Sequence, residues 1–133
     1  MASRKLEDLA PQFRDRFIAW KRACEKAGLD VLVTCTLRSG EEQDALYAIG
    51  RTQPGQKVTN AHAGQSAHQY GLALDFVPID LGKPAWNEAH PAWRKAGAIA
   101  GDCGLEWAGT WTGPMREFPH IQVGGWKSLI GDA

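Results

Sequence analysis

Leu72-Ala73-Leu74-Asp75-Phe76-Val77 reads as a β-strand with one residue out of character. Side chains alternate along a strand, so Leu72, Leu74 and Phe76 share one face while Ala73, Asp75 and Val77 share the other. A carboxylate amid such neighbours is costly unless it is paired or bound to a metal. His68 precedes this strand by one tight turn, and Gly71 is available to bend the chain there. Further on, Pro119-His120-Ile121-Gln122-Val123 forms a second short apolar segment. Ile121 and Val123 would pack on one face, and His120 and Gln122 would look out of the other.

Outward from this strand the chain punctuates itself. Leu6, Leu9, Phe13, Phe17, Trp20 and Cys24 recur at steps of three and four, one face of an amphipathic helix ending near Gly28. Pro11 falls inside the pattern, so the helix is expected to start after it. Val31 to Leu37 is rich in β-branched residues and reads as a strand. Ser39 and Glu42 have capping-box spacing, predicting a short helix through Ala45, Leu46 and Ile49 that stops at Gly50. Residues 51–66 lack apolar periodicity and read as a long loop, of the kind that is often functional. His90-Pro91 opens a helix with Pro at its first position. Trp93, Ala96, Ile99, Ala100 and Cys103 continue it to Gly104. Short strands are expected at Leu105–Trp107 and His120–Val123. The resulting fold class is α+β: a small single domain over residues 1–133, with a short antiparallel sheet flanked by helices.

Composition narrows the function classes. The 133 residues are enough for one domain, and one of this size buries roughly two thirds of its unfolded surface without needing disulfides. Lys plus Arg (15) balances Asp plus Glu (15), so charge gives no case for nucleic acid or an anionic membrane surface. No stretch approaches the roughly 20 apolar residues of a membrane span, so no membrane insertion is expected. Cys24, Cys35 and Cys103 are odd in number and widely spaced, which is no disulfide framework. They read as small buried hydrophobes, as suits a reducing compartment.

His68, Asp75 and His120 have the chemistry of a catalytic zinc site, which needs three protein ligands and one open position. The same residues also fit satisfied polar groups at strand ends. Glu117, three residues before His120, is placed to act as a general base, or is a solvated loop residue. Arg38 ends a buried strand, where its guanidinium would bind a carboxylate or carbonyl, or form a salt bridge at the rim. His62 in the polar loop and His90 at a helix start read as structural or solvated, with His62 within reach of a nearby cleft. Trp20 and Trp93 fall on helical core faces. Trp107 and Trp111 flank the site segment, either lining the cleft or packing beneath it.

Ser66-Ala67-His68-Gln69-Tyr70-Gly71-Leu72-Ala73-Leu74-Asp75 fits the pattern S-x-H-x-x-G-x-A-x-D, and Glu117-Phe118-Pro119-His120 fits an acidic residue three before a Pro-His pair. Both resemble the zinc peptidases that include D-alanyl-D-alanine carboxypeptidases and the L-alanyl-D-glutamate endopeptidases of phage lysis enzymes. Arg38-Ser39 followed by Gln43 resembles the family's Arg-Ser segment ahead of a helix. Leu105 to Trp111 resembles its W-G-G-D-W segment, with Ala108 in place of the first Gly and Thr110 in place of the Asp. Those two departures put the shape and charge of the substrate cleft in doubt. The resemblance implies His68, Asp75 and His120 as zinc ligands, Glu117 as base, and Arg38 as the residue that binds substrate and stabilises the transition state. It implies supporting or substrate-binding roles for Ser66, Gln43, Trp107 and Trp111.

The expected activity is hydrolysis of peptidoglycan stem peptides by a monomer with zinc as cofactor. The N-terminal stretch mixes charges into its apolar positions and is not a Sec-type signal peptide. A wall-remodelling carboxypeptidase must be exported, whereas a phage lysis enzyme waits in the cytoplasm until the membrane is opened. The L-alanyl-D-glutamate bond and an endolysin role are therefore expected ahead of D-alanyl-D-alanine carboxypeptidase or dipeptidase activity. A zinc-stabilised, non-catalytic wall-binding domain is the third reading, and Glu117 argues against it, since a structural site needs no base.

Overall fold

The computed structural model describes residues 2–59 and 65–130. A 3-10 turn at Leu6–Asp8 leads into α1, Pro11–Lys26. Pro11 begins the helix rather than preceding it, because the first helical position needs no N–H partner. Phe17, Trp20 and Cys24 are its buried stripe. β1, Asp30–Cys35, follows the turn at Gly28, whose φ of 80° suits glycine. Ser39 caps α2, Gly40–Ala48: its Oγ accepts from the Glu42 N–H at 3.0 Å while the Glu42 carboxylate accepts from the Ser39 N–H at 2.9 Å. The helix closes at Ala48, one residue short of Ile49.

β2, Ala73–Asp80, runs three residues past the expected end and turns back through Leu81-Gly82 into β3, Lys83–Pro84. Both turn residues have positive φ, 52° and 77°, as a tight two-residue hairpin requires. α3 spans Ala92–Asp102, with Pro91 at the cap rather than the first helical position. β4 is Glu106–Trp107, β5 is His120–Gln122, and a final turn, α4, covers Trp126–Leu129.

All pairings are antiparallel, in the order β1-β2-β5-β4, with β3 on β2. The register decides where the chemistry lies. Cys35, Asp75 and His120 stand in one row across three strands, and Ala73, Gln122 and Glu106 stand in the next row across β2, β5 and β4. α1 and α3 cover the sheet. Trp20 meets Phe76 edge-on at 5.0 Å, and its Nε1 donates to the Ala96 carbonyl at 3.0 Å, tying α1 to α3. Trp93 is likewise core. Ala73 and Val77 are as buried as Leu74 and Phe76, so both faces of β2 are covered and Asp75 is a partly buried position inside an otherwise buried run.

Candidate active site

Asp75 is the hub of the site. Its Oδ1 lies 3.1 Å from His68 Nε2 and 3.3 Å from His120 Nδ1, and its Oδ2 lies 3.6 Å from Arg38 Nη2. His68 arrives from a 3-10 turn, Ala67–Tyr70, whose cap Ser66 accepts from the His68 N–H at 3.3 Å. Gly71 closes that turn with φ 69°, and a Cβ there would lie 2.7 Å from the Ala10 backbone nitrogen, so glycine is required on two counts. His68 Nδ1 donates to the Thr36 carbonyl at 2.8 Å, since a carbonyl only accepts, and this leaves Nε2 as the nitrogen facing Asp75.

Glu117 reaches the same point from the loop before β5, its Oε1 3.4 Å from His120 Nδ1. Arg38, just beyond β1, donates from Nη1 to Gln43 Oε1 at 2.7 Å and from Nη2 to Cys35 Sγ at 3.3 Å. Gln43 is fully buried, and it fixes one edge of the guanidinium while Nη2 faces Asp75. These groups open into a cleft of about 760 Å³, which Ser66 and Trp111 also line.

The charges press on one another. Burial opposes ionisation of Asp75, but His68 and His120 beside it outweigh that and hold its carboxyl well below the usual carboxylate range. Burial likewise opposes a charge on His68, and Asp75 with Cys35 outweighs it, raising its pKa. Glu117 moves the other way. Desolvation by the cleft walls raises its pKa, His120 lowers it and Asp75 raises it again.

Two imidazoles and a carboxylate converging on an open cleft fit a catalytic zinc ion. Donors bound to zinc at about 2.0–2.1 Å in a tetrahedron stand about 3.3 Å apart, and Asp75 Oδ1 stands 3.1 and 3.3 Å from the two histidine nitrogens. Among the described residues, two donor sets lie mutually within 4.8 Å, Asp75-Glu117-His120 and Cys35-His68-Asp75. Asp75 is common to both, and the His68 and His120 nitrogens that face it stand more than 4.8 Å from each other, wider than two donors on one zinc, so they would have to close on a bound ion. Cys35 Sγ approaches His68 at Nδ1, the nitrogen turned towards Thr36, at 3.7 Å.

The structure separates the remaining candidates. Trp111 stands on the cleft wall with its ring 5.8 Å from His120 and its Nε1 donating to Glu106 Oε1 at 2.7 Å. Trp107 is not a cleft residue. It packs in the core, its Nε1 donates to the Phe118 carbonyl at 2.8 Å, and its indole lies so close to Gly97 and Gly109 that a Cβ on either would fall 2.2 Å from the ring. Ala108 is buried and Thr110 bonds back to the Trp107 carbonyl at 2.8 Å, so neither departure in this segment lines the cleft. His90 stands one residue before the Pro91 cap of α3 and accepts from the Ala92 N–H at 3.1 Å, away from the cleft. His62 lies outside the described residues. Sequence reasoning assigned no role to Cys35, Thr36, Glu106 or Gln122. For Gln122 the signal was present, since strand alternation puts it on the face of His120.

Residues 59–123 match the family model described as D-alanyl-D-alanine carboxypeptidase. The chain is 36% identical over 124 residues to the peptidoglycan L-alanyl-D-glutamate endopeptidase CwlK of Bacillus subtilis, covering 87% of this chain and 74% of that protein. It is 30% identical over 119 residues to the L-alanyl-D-glutamate peptidase of a Listeria phage, covering 89% of this chain but 38% of that protein. The L-Ala D-Glu endopeptidase ChiX of Serratia marcescens shares the fold with a TM-score of 0.69 at 19% identity, over 96% of this chain and 92% of that one. The vancomycin resistance D,D-pentapeptidase VanY, solved with Zn(II), does so with a TM-score of 0.65 at 16% identity, over 92% and 76%. The motif residues meeting at Asp75, and a relative 36% identical across three quarters of its length, carry one conclusion: the chain belongs to the D-alanyl-D-alanine carboxypeptidase family of metallopeptidases, which includes L-alanyl-D-glutamate endopeptidases.

Proposed function

We propose that this protein is a zinc peptidase that hydrolyses the L-alanyl-D-glutamate bond of peptidoglycan stem peptides. The observation that carries the chemistry is the convergence of His68, His120, Glu117 and Arg38 on Asp75. The choice of bond is supported by the Bacillus subtilis and Listeria phage relatives, both of which carry that bond in their names. His68, Asp75 and His120 would hold zinc, which when bound supplies a Lewis acid and lowers the pKa of water towards about 7.

The chain's own groups do the rest. Glu117 accepts a proton from the water that attacks the scissile carbonyl carbon. Its raised pKa brings it nearer the operating pH of a general base. As the carbonyl oxygen gains charge, Arg38 donates to it from a guanidinium already braced by Gln43. Glu117 then gives the proton to the amide nitrogen as the C–N bond breaks. Ser66 holds the His68 turn and Trp111 walls the cleft.

The proposed biological role is that of a phage or prophage endolysin, kept in the cytoplasm until the membrane is opened. The phage relative supports it, and so do three free cysteines, which suit a reducing compartment. The site is complete within one chain, which supports action as a monomer. Mass spectrometry of digested, purified peptidoglycan tests the bond. New D-Glu amino termini and falling turbidity are expected, and release of free D-Ala or its dipeptide from an intact wall would overturn the reading in favour of a carboxypeptidase.

A further inference from the structure

Behind His120 runs a row of polar side chains that the proposed reaction does not use. Gln122 lies two residues further along β5 and so shares a face with His120. Glu106 of β4 is its direct cross-strand partner. His120 Nε2 stands 2.8 Å from Gln122 Oε1, Gln122 Nε2 stands 3.5 Å from Glu106 Oε1, and Trp111 Nε1 stands 2.7 Å from that same oxygen. Gln122 and His120 are both buried.

The row has a direction. A carboxylate only accepts and an indole N–H only donates. Glu106 therefore takes the Trp111 hydrogen on one side and an amide hydrogen of Gln122 on the other. That turns the Gln122 carbonyl oxygen towards His120. A carbonyl also only accepts, so Nε2 of His120 carries the hydrogen and Nδ1 presents its lone pair to the Asp75–Glu117 side. Without the carboxylate at the far end the amide is free to turn over, presenting its NH2 to Nε2 and moving the imidazole hydrogen to Nδ1. Space for the carboxylate is provided by Gly124, where a Cβ would stand 3.2 Å from Glu106 Oε2.

We propose that Glu106 and Gln122 are positioning residues that lock His120 as the Nε2–H tautomer and thereby hold Nδ1 ready for metal. This rests on the reading of His68, Asp75 and His120 as zinc ligands. Hydrogen-bond partners behind a metal-binding histidine commonly change metal affinity by about 10- to 100-fold when removed.

The test is a zinc dissociation constant, measured by chelator competition on the purified chain, with circular dichroism to check the fold. Gln122→Leu preserves size but offers no acceptor, and it should weaken zinc binding about 10- to 100-fold. Glu106→Gln removes the carboxylate that orients the amide, and Gln122→Glu sets two carboxylates against each other, so each should also weaken binding. The double variant E106Q/Q122E restores a donor between positions 106 and 122 and an acceptor at Nε2, so it should recover affinity. Nitrogen-15 spectra of the zinc-loaded wild type and double variant should both show the His120 hydrogen on Nε2. Zinc affinity of Gln122→Leu within twofold of wild type overturns the relay and leaves the zinc reading standing. If Gln122→Leu does not fold, a double variant no tighter than its two single parents overturns it instead. Wild-type protein that takes up no zinc would overturn both.

Discussion

Glu117 and Arg38 both border Asp75, yet their chemistry separates them. Glu117 is half exposed at the cleft and lies 3.4 Å from His120 Nδ1, beside the three proposed ligands and not one of them, so Glu117→Gln should keep zinc and fold. Turnover should fall on the order of a hundredfold or more, as loss of a general base implies. Zinc content measured alongside kcat checks this, and loss of metal in the variant would make Glu117 a ligand. Arg38 divides one planar group among Gln43, Cys35 and Asp75. Arg38→Lys keeps the charge but not the fork, so kcat should drop severalfold or more. Unchanged kinetics would reduce Arg38 to a rim ion pair. At this scale His68, Asp75, His120, Glu117, Arg38 and Gln43 were legible because their motif fixes spacing and residue type together. Thr36, Cys35 and Glu106 were not. Thr36 and Cys35 act on His68 across more than thirty residues of chain, and Glu106 reaches His120 only through Gln122, so no local pattern announces them.

Among the elements, the capping box of α2 and the strands that carry Asp75 and His120 were readable from sequence, since capping and alternation are local rules, whereas which strands pair was not. The β2–β3 hairpin was not. Its turn begins with Leu81, fully exposed and at positive φ, where a sequence reader looks for Asn, Asp or Gly. Trp107 shows the same limit from the other side. Its place beneath the cleft depends on the room that Gly97 of α3 and Gly109 leave for a flat ring, and neither glycine announces that in sequence. Gly97→Ala would improve helix propensity in isolation, yet it places a methyl group 2.2 Å from the indole. It should destabilise the protein by about 1–3 kcal/mol, as overpacking of a filled core does. A denaturant titration reads this directly, and a variant as stable as wild type would show that the ring is free to move.

Across the whole molecule the charges balance, but the cleft does not share that neutrality. Arg38, Lys57, Arg116 and Lys127 line it against Asp75 and Glu117. A stem peptide whose D-glutamate carries a free carboxylate would be drawn in by this excess, and salt weakens such attraction between exposed groups. KM should therefore rise severalfold between about 50 and 300 mM salt while kcat holds, and a salt-independent KM would assign binding to uncharged contacts. The α+β arrangement was legible because helix and strand periodicities were both strong. The cleft's charge was not, because residues 38, 57, 116 and 127 meet only after the chain has folded. The most direct test of the account is metal reconstitution of the intact protein. After zinc is stripped with a chelator, hydrolysis of the L-alanyl-D-glutamate bond should cease and return in proportion to added zinc, saturating at about one ion per chain. Full turnover by the stripped protein would contradict it.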